Sequence, residues 1–231
     1  MPWDKDASQC AQFDRVFLVL GNHEFYGISR EDGLKAANAL EVEPQLLGKL
    51  SVLNQSRVDI NRRVTIIGCT LWSYIPKEYQ LWVRMKVADL SRINDWTVEN
   101  HNTEHLQDVQ WLQQEIHNIS LEEDRRDLII VTHHAPSATK TVDPKHKSNP
   151  WGSAFCSDLL ESQVKSWRGS KIIHHWIFGH THWNTKFRQH GMIISSNQLG
   201  YDSRGSRAPR FFNYWFPQSG QDFVITKTAK V

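Results

Sequence analysis

Three short segments, far apart in the chain, follow one pattern: an apolar run that stops at a polar knot built around histidine. Phe17-Leu18-Val19-Leu20 leads into Gly21-Asn22-His23-Glu24. Leu128-Ile129-Ile130-Val131 leads into Thr132-His133-His134-Ala135-Pro136, and Trp176-Ile177-Phe178 into Gly179-His180-Thr181-His182. Short apolar runs of this kind read as buried strands. In open α/β sheets the ligand crevice lies beyond the carboxyl ends of the strands. Three strands ending in nitrogen and oxygen donors therefore predict an α/β fold whose strand ends meet at one metal-holding rim.

The rest of the chain is compatible with such a fold. Its 231 residues suffice for one sizeable α/β domain, and no repeat, low-complexity tract or linker divides them, so a single domain over 1–231 is expected. After the first knot, Glu31 to Leu50 reads as a helix interrupted at Pro44. Val52-Leu53 and the run Arg63 to Trp72 read as strands. The aromatic-rich stretch from Ile75 to Trp96 reads as a lid or irregular loop with a helical turn. Leu106, Val109, Trp111, Leu112, Ile116 and Ile119 recur near a 3.6-residue period and predict a helix over Thr103 to Ile119. Its histidines, His101, His105 and His117, read as loop or surface residues. Ser137 to Gly152 is a polar loop placed to border a pocket. A helix is expected over Ser157 to Trp167 and a strand over Ile172 to Phe178. Two late, antiparallel strands are expected at Gly191–Ser196 and Phe223–Ile225.

Composition narrows the function by exclusion. With 39% hydrophobic and 23% charged residues the chain belongs to neither the disordered nor the membrane class, and its apolar runs fall far short of the roughly 20 residues that span a bilayer. A formal charge of +2 gives no argument for nucleic acid. The opening residues, Met1 to Asp6, lack the basic and apolar regions of a signal peptide, and Cys10, Cys69 and Cys156 have no metal-type spacing. A cytoplasmic protein with reduced cysteines is the expectation.

The knots carry the chemistry. His180 and His182 stand two apart, so in an extended segment both imidazoles reach one small centre. Neutral imidazole suits ions such as Zn, Fe and Mn. Asn22 offers an amide oxygen, with His23 beside it as a proton donor. Alternatively, Asn22 to Glu24 cap the next segment as an Asx-type turn. His133 is the better ligand of its pair, because His134 points the other way from an extended strand and is left to pack or to line the cleft. Of the tryptophans, Trp183 is placed nearest the pocket.

In this order and at these separations, Gly-Asn-His-Glu, Thr-His-His-Ala-Pro and Gly-His-Thr-His resemble the motifs of the calcineurin-like metallophosphoesterase family. Ser196-Asn197-Gln198-Leu199-Gly200-Tyr201 resembles its closing segment. The resemblance implies an α/β/β/α sandwich, a centre of two divalent ions (Mn, Fe or Zn) and a phosphate-ester substrate. It implies that Asn22, His133 and His180 hold one ion and His182 the other, with His23 stabilising the transition state or protonating the leaving oxygen. The family pattern begins with Asp-x-His and Gly-Asp motifs that the twenty residues before Gly21 do not contain. The expectation is therefore a domain incomplete at its N-terminus, missing its first strands and part of its metal site, and impaired in hydrolysis. A catalytically inactive relative acting as a binding protein is the alternative.

Overall fold

The computed structural model describes residues 9–198. Six strands form the main sheet: β3 (Ser56–Asp59), β4 (Val64–Cys69), β5 (Asp127–Thr132), β6 (Ile173–Ile177), β7 (Thr185–Gln189) and β8 (Met192–Ser196), in the order β3-β4-β5-β6-β8-β7. The four central strands β4, β5, β6 and β8 run parallel, and β3 and β7 close the two edges antiparallel. Strand β8 is thus antiparallel only to β7. Parallel pairing with β6 follows because β6 and β8 are joined through an edge hairpin rather than directly. Strands β1 (Val16–Leu18) and β2 (Leu50–Val52) form a separate parallel pair.

Side chains on alternate faces of β5 show how the layers stack. Leu128 and Ile130 point into the largest core with Ile67, Trp176 and Ile194, facing Leu112, Ile116 and Ile119 of the long helix. Ile129 and Val131 point the other way and meet Phe17 and Val19 from the first strand segment. The opposite face of that segment, Leu18 and Leu20, packs with Val52 and with Leu34 and Ala37 of helix α1 (Arg30–Glu41). Apolar residues on both sides of β5 are what a central parallel strand requires. The order is therefore helix, six-stranded sheet, two-stranded sheet, helix, as the resemblance implies.

Boundaries differ from the sequence reading where local chemistry intervenes. Helix α1 ends at Glu41, and Pro44 then opens a separate 3₁₀ turn, Pro44–Leu46, before β2. The ambiguous aromatic stretch holds two short helices, α2 (Gln80–Lys86) and α3 (Asp89–Arg92). The long helix α4 spans Val98–Ser120, because Thr97 and Asn100 form a reciprocal capping box five residues before the expected start. Leu106 lies on its exposed side, while His101 and His105, expected at the surface, are buried with Asp108. The helix expected to Trp167 is only Leu159–Ser162 (α5). The backbone leaves helical geometry at Gln163 so that Val164 and Trp167 turn into the core. Among the described residues no helix is long and apolar enough to cross a membrane. The strand expected at Phe223–Ile225 and the closing residues Leu199 to Tyr201 lie outside the described residues.

Candidate metal centre

The first knot leaves β1 through Leu20 and is tied by its own side chain, with the Gly21 amide donating to Glu24 Oε2 at 2.8 Å. Gly21 is needed for space. A Cβ there would stand 2.3–2.7 Å from three ring atoms of His133. Asn22 does not cap the 3₁₀ turn His23–Phe25 with its side chain. It is 4% exposed, and its amide is held by Asp89. Nδ2 donates to Asp89 Oδ1 at 2.7 Å, and Tyr26 Oη donates to the same oxygen at 2.6 Å. That leaves the amide oxygen facing His133, and the side-chain cap expected as the alternative is not formed.

The second and third knots are pinned to each other, the Gly179 amide donating to the His133 carbonyl at 3.0 Å. His133 Nε2 lies 3.0 Å from Asn22 Oδ1 and 2.9 Å from His180 Nδ1. His133 Nε2 thus stands beside a donor from each of the other two strand ends. Neighbouring corners of an octahedron with bonds of about 2.1 Å stand roughly 3 Å apart, so these spacings suit a single divalent ion. The donor set is neutral nitrogen and amide oxygen, a fit for Zn, Mn or Fe.

His180 and His182 reach the site differently from the extended-segment argument. Both have left-handed backbones (φ 64° and 53°), so the two-residue alternation of a strand does not apply. His182 is kept near the centre by the fold. Its amide donates to Gln198 Oε1 at 2.6 Å, and its ring couples electrostatically to His23, His133 and His180. His134 is also a member of the centre rather than a residue turned away. It is wholly buried, stacks on His180 with centroids 4.1 Å apart, and has a ring nitrogen within 4.8 Å of those of His133 and His180. Neither of its ring nitrogens has a hydrogen-bond partner among the described residues.

Desolvation, reinforced by neighbouring rings, pushes His133 down to about 3 and His182 to about 4, and holds His134 and His180 well below the usual imidazole range. All four are neutral near pH 7, the form that ligates. His23, exposed at the mouth and packed against the Tyr26 ring at 4.6 Å, is also lowered by desolvation, against the opposing pull of Asp89 and Glu24. At neutral pH it offers an N–H donor, not an imidazolium. Among the described residues the histidine cluster contains no carboxylate.

Helix α4 supplies a support that the sequence reading missed. Asp108 Oδ2 accepts from the Leu71 amide at 2.8 Å, His105 Nδ1 donates to the Leu71 and Trp72 carbonyls at 3.1 and 3.2 Å, and the Ser73 amide donates to His101 Nε2 at 3.3 Å. They fix a strained turn, Leu71 and Trp72 both having positive φ. The Trp72 ring underlies His134 at 5.3 Å.

A family model for calcineurin-like phosphoesterases matches residues 3–184, most of the chain. The chain is a calcineurin-like phosphoesterase. As a member of that family it is, at family level, a phosphoester hydrolase, and the family uses divalent metals. It is 27% identical over 229 residues to the uncharacterized protein L509 of Acanthamoeba polyphaga mimivirus, covering 87% of this chain and 75% of that protein. The crystal structure of phosphopantetheinyl hydrolase from Mycobacterium tuberculosis superposes with a TM-score of 0.57 at 13% identity, over 96% of this chain and 79% of that one. At that identity the likeness concerns the fold. For this calcineurin-like phosphoesterase the knots predicted from sequence meet at one rim, and His134 joins them.

Proposed function

We propose that this chain hydrolyses phosphate esters at the Asn22, His133 and His180 centre, with His182 turned toward a second ion and His23 donating a hydrogen bond to the reacting phosphoryl group. The observation that carries the reading is that His133 Nε2 stands 3.0 Å from Asn22 Oδ1 and 2.9 Å from His180 Nδ1, groups that come from three separate strand ends. These residues would hold a divalent ion, which when bound would supply Lewis-acid polarisation of the phosphoryl group and lower the pKa of water. The chain's own residues orient the ester. Asn22 is locked by Asp89, His133 is seated against Gly21, and the neutral His23 N–H is placed at the open mouth for charge that develops on oxygen.

The neutral ligands of the histidine cluster favour one ion held better than a second, and low turnover. The same observation favours the second reading, a metal-holding binding protein without catalysis. Metal analysis with turnover of a chromogenic phosphate ester in added Mn tests the first. Two ions per chain with full turnover would refute the impairment. His23→Ala separates the two readings: an enzyme loses about 100-fold or more in turnover with its metal content unchanged, whereas a binding protein is indifferent.

A further inference from the structure

Beside the histidines lies a cavity of about 540 Å³, within the size range of small-molecule sites. Its walls are aromatic: Tyr74 and Tyr79 from one side, Trp151 and Phe155 from the other. The wall is continuous with the metal centre. The Phe155 ring stacks on His180 with centroids 4.9 Å apart and planes 23° apart, and Thr181, between the two histidines of the third knot, also lines the cavity. The floor is fixed, since Trp151 and Phe155 pack against the buried cluster of Ile75, Val83, Val87 and Ala154. A molecule whose phosphate sits at the histidines thus has an aromatic slot for its alcohol portion.

The charges that face the slot balance and give an ionic occupant no advantage. Asp143 and Asp158 line it against Lys147 as the single ammonium, and Asp143 is already paired with Lys145 at 2.7 Å. The remaining polar groups include hydroxyls and an amide, such as Ser153 and Asn149, which bind neutral donors and acceptors. Flat walls favour a flat ligand, because offset or edge contacts between rings add to the gain from burial.

Building on the hydrolase reading, we propose that this cavity takes the leaving alcohol, and that the substrate is a small-molecule phosphate ester whose alcohol is uncharged and carries a planar aromatic ring. Phosphoserine or phosphothreonine, lacking such a ring, would leave the slot unfilled.

The test uses the full chain with Mn and two esters of primary alcohols matched in leaving ability, 2-(1-naphthyl)ethyl phosphate and ethyl phosphate. It also measures binding of the free alcohol, 2-(1-naphthyl)ethanol, by calorimetry and saturation-transfer NMR, which needs no turnover. The naphthyl ester is expected to be preferred in kcat/KM by about 10- to 100-fold. Trp151→Ala is expected to remove most of that preference and weaken alcohol binding to a similar degree, while Trp151→Phe, which keeps a ring, restores much of both. Circular dichroism confirms that the variants fold. Equal use of both esters with no alcohol binding would overturn the cavity assignment while leaving the hydrolase reading intact. Alcohol binding that is sensitive to Trp151, without turnover of any ester, would uphold the slot and overturn the hydrolase reading.

Discussion

Replacing Asp89 by alanine tests whether the metal centre is built by a residue that does not belong to it. Asp89 is 2% exposed, and its Oδ1 accepts from Asn22 Nδ2 at 2.7 Å and from Tyr26 Oη at 2.6 Å. Hydrogen bonds to a charged acceptor contribute about 1.5–3 kcal/mol each. Two are lost in Asp89→Ala. Part of the loss is offset because burial makes the carboxylate costly, raising its pKa, and because Asn22 Nδ2 still has Tyr26 Oη at 3.2 Å. A net destabilisation of about 1–3 kcal/mol follows. The more telling effect is on the amide, which without Asp89 can turn its nitrogen toward His133 as readily as its oxygen. Loss of such an outer partner typically costs 10–100-fold in metal affinity. Calorimetric titration with Mn or Zn, beside denaturant melts in chelator, separates the two effects. Tyr26→Phe, which leaves the Asp89–Asn22 bond in place, should lower stability by about 1 kcal/mol and affinity by less than Asp89→Ala does. If Asp89→Ala lowers stability alone and binds metal as tightly as the parent, the positioning argument is wrong.

Gly21→Ala forces a Cβ to within 2.3–2.7 Å of the His133 ring, so the ring must move. Calorimetry should show metal affinity reduced at least about 10-fold, and unchanged affinity would mean that the ring relaxes freely. His105→Leu leaves the Leu71 and Trp72 carbonyls without their buried donor, for an expected loss of about 1–3 kcal/mol in denaturant melts. Acid should also destabilise the metal-free chain. Burial holds His101 and His133 down to about 3, whereas the unfolded chain protonates them below the ordinary imidazole value of 6.5. The unfolded state then binds more protons. Stability is complete above that value and falls as pH drops toward 3, by roughly 1.4 kcal/mol per unit for each histidine. Asp108, raised by burial to about 6 from 3.8, and Asp89, also raised by burial, act in the opposite direction, but His134, His180 and His182 are lowered together with His101 and His133, so the histidines win. A stability flat between pH 7 and 5 would refute this.

The centre was legible where the sequence carries a local signal. His133 and His180 follow adjacent parallel strands, β5 and β6, and Asn22 follows β1 in the small sheet packed against them, so strand ends of like direction bring the three knots together. His134 was not legible, because alternation in an extended strand sends it away from His133. The chain leaves the strand at Thr132 and stacks His134 on His180 instead. Trp183, which follows the histidine pair in sequence, lines an adjoining hollow with Lys140 and Phe187, while Trp151, from the polar loop, walls the cavity beside the histidines. Asp89 had no sequence signal, since a short helix inside an aromatic-rich stretch gives no period to read.

His101, His105 and Asp108 did carry a signal. They stand at i, i+4 and i+7, and Leu112, Ile116 and Ile119 continue the same stripe. Polar residues on the inward face of a helix are costly unless each finds a partner. Their presence there therefore predicts an unusual backbone opposite, with donors and acceptors not used by regular structure. Leu71 to Ser73 is that backbone, and its positive φ at Leu71 and Trp72 explains why its amides and carbonyls turn toward the helix. His180 and His182 are strained in the same sense and lie one ring beyond, through Trp72 and His134. Strained residues persist only where their surroundings over-determine them. Helix α4 thus does two jobs along one face: its apolar half holds the sheet, and its polar half holds the turn that backs His134 and, through it, His180.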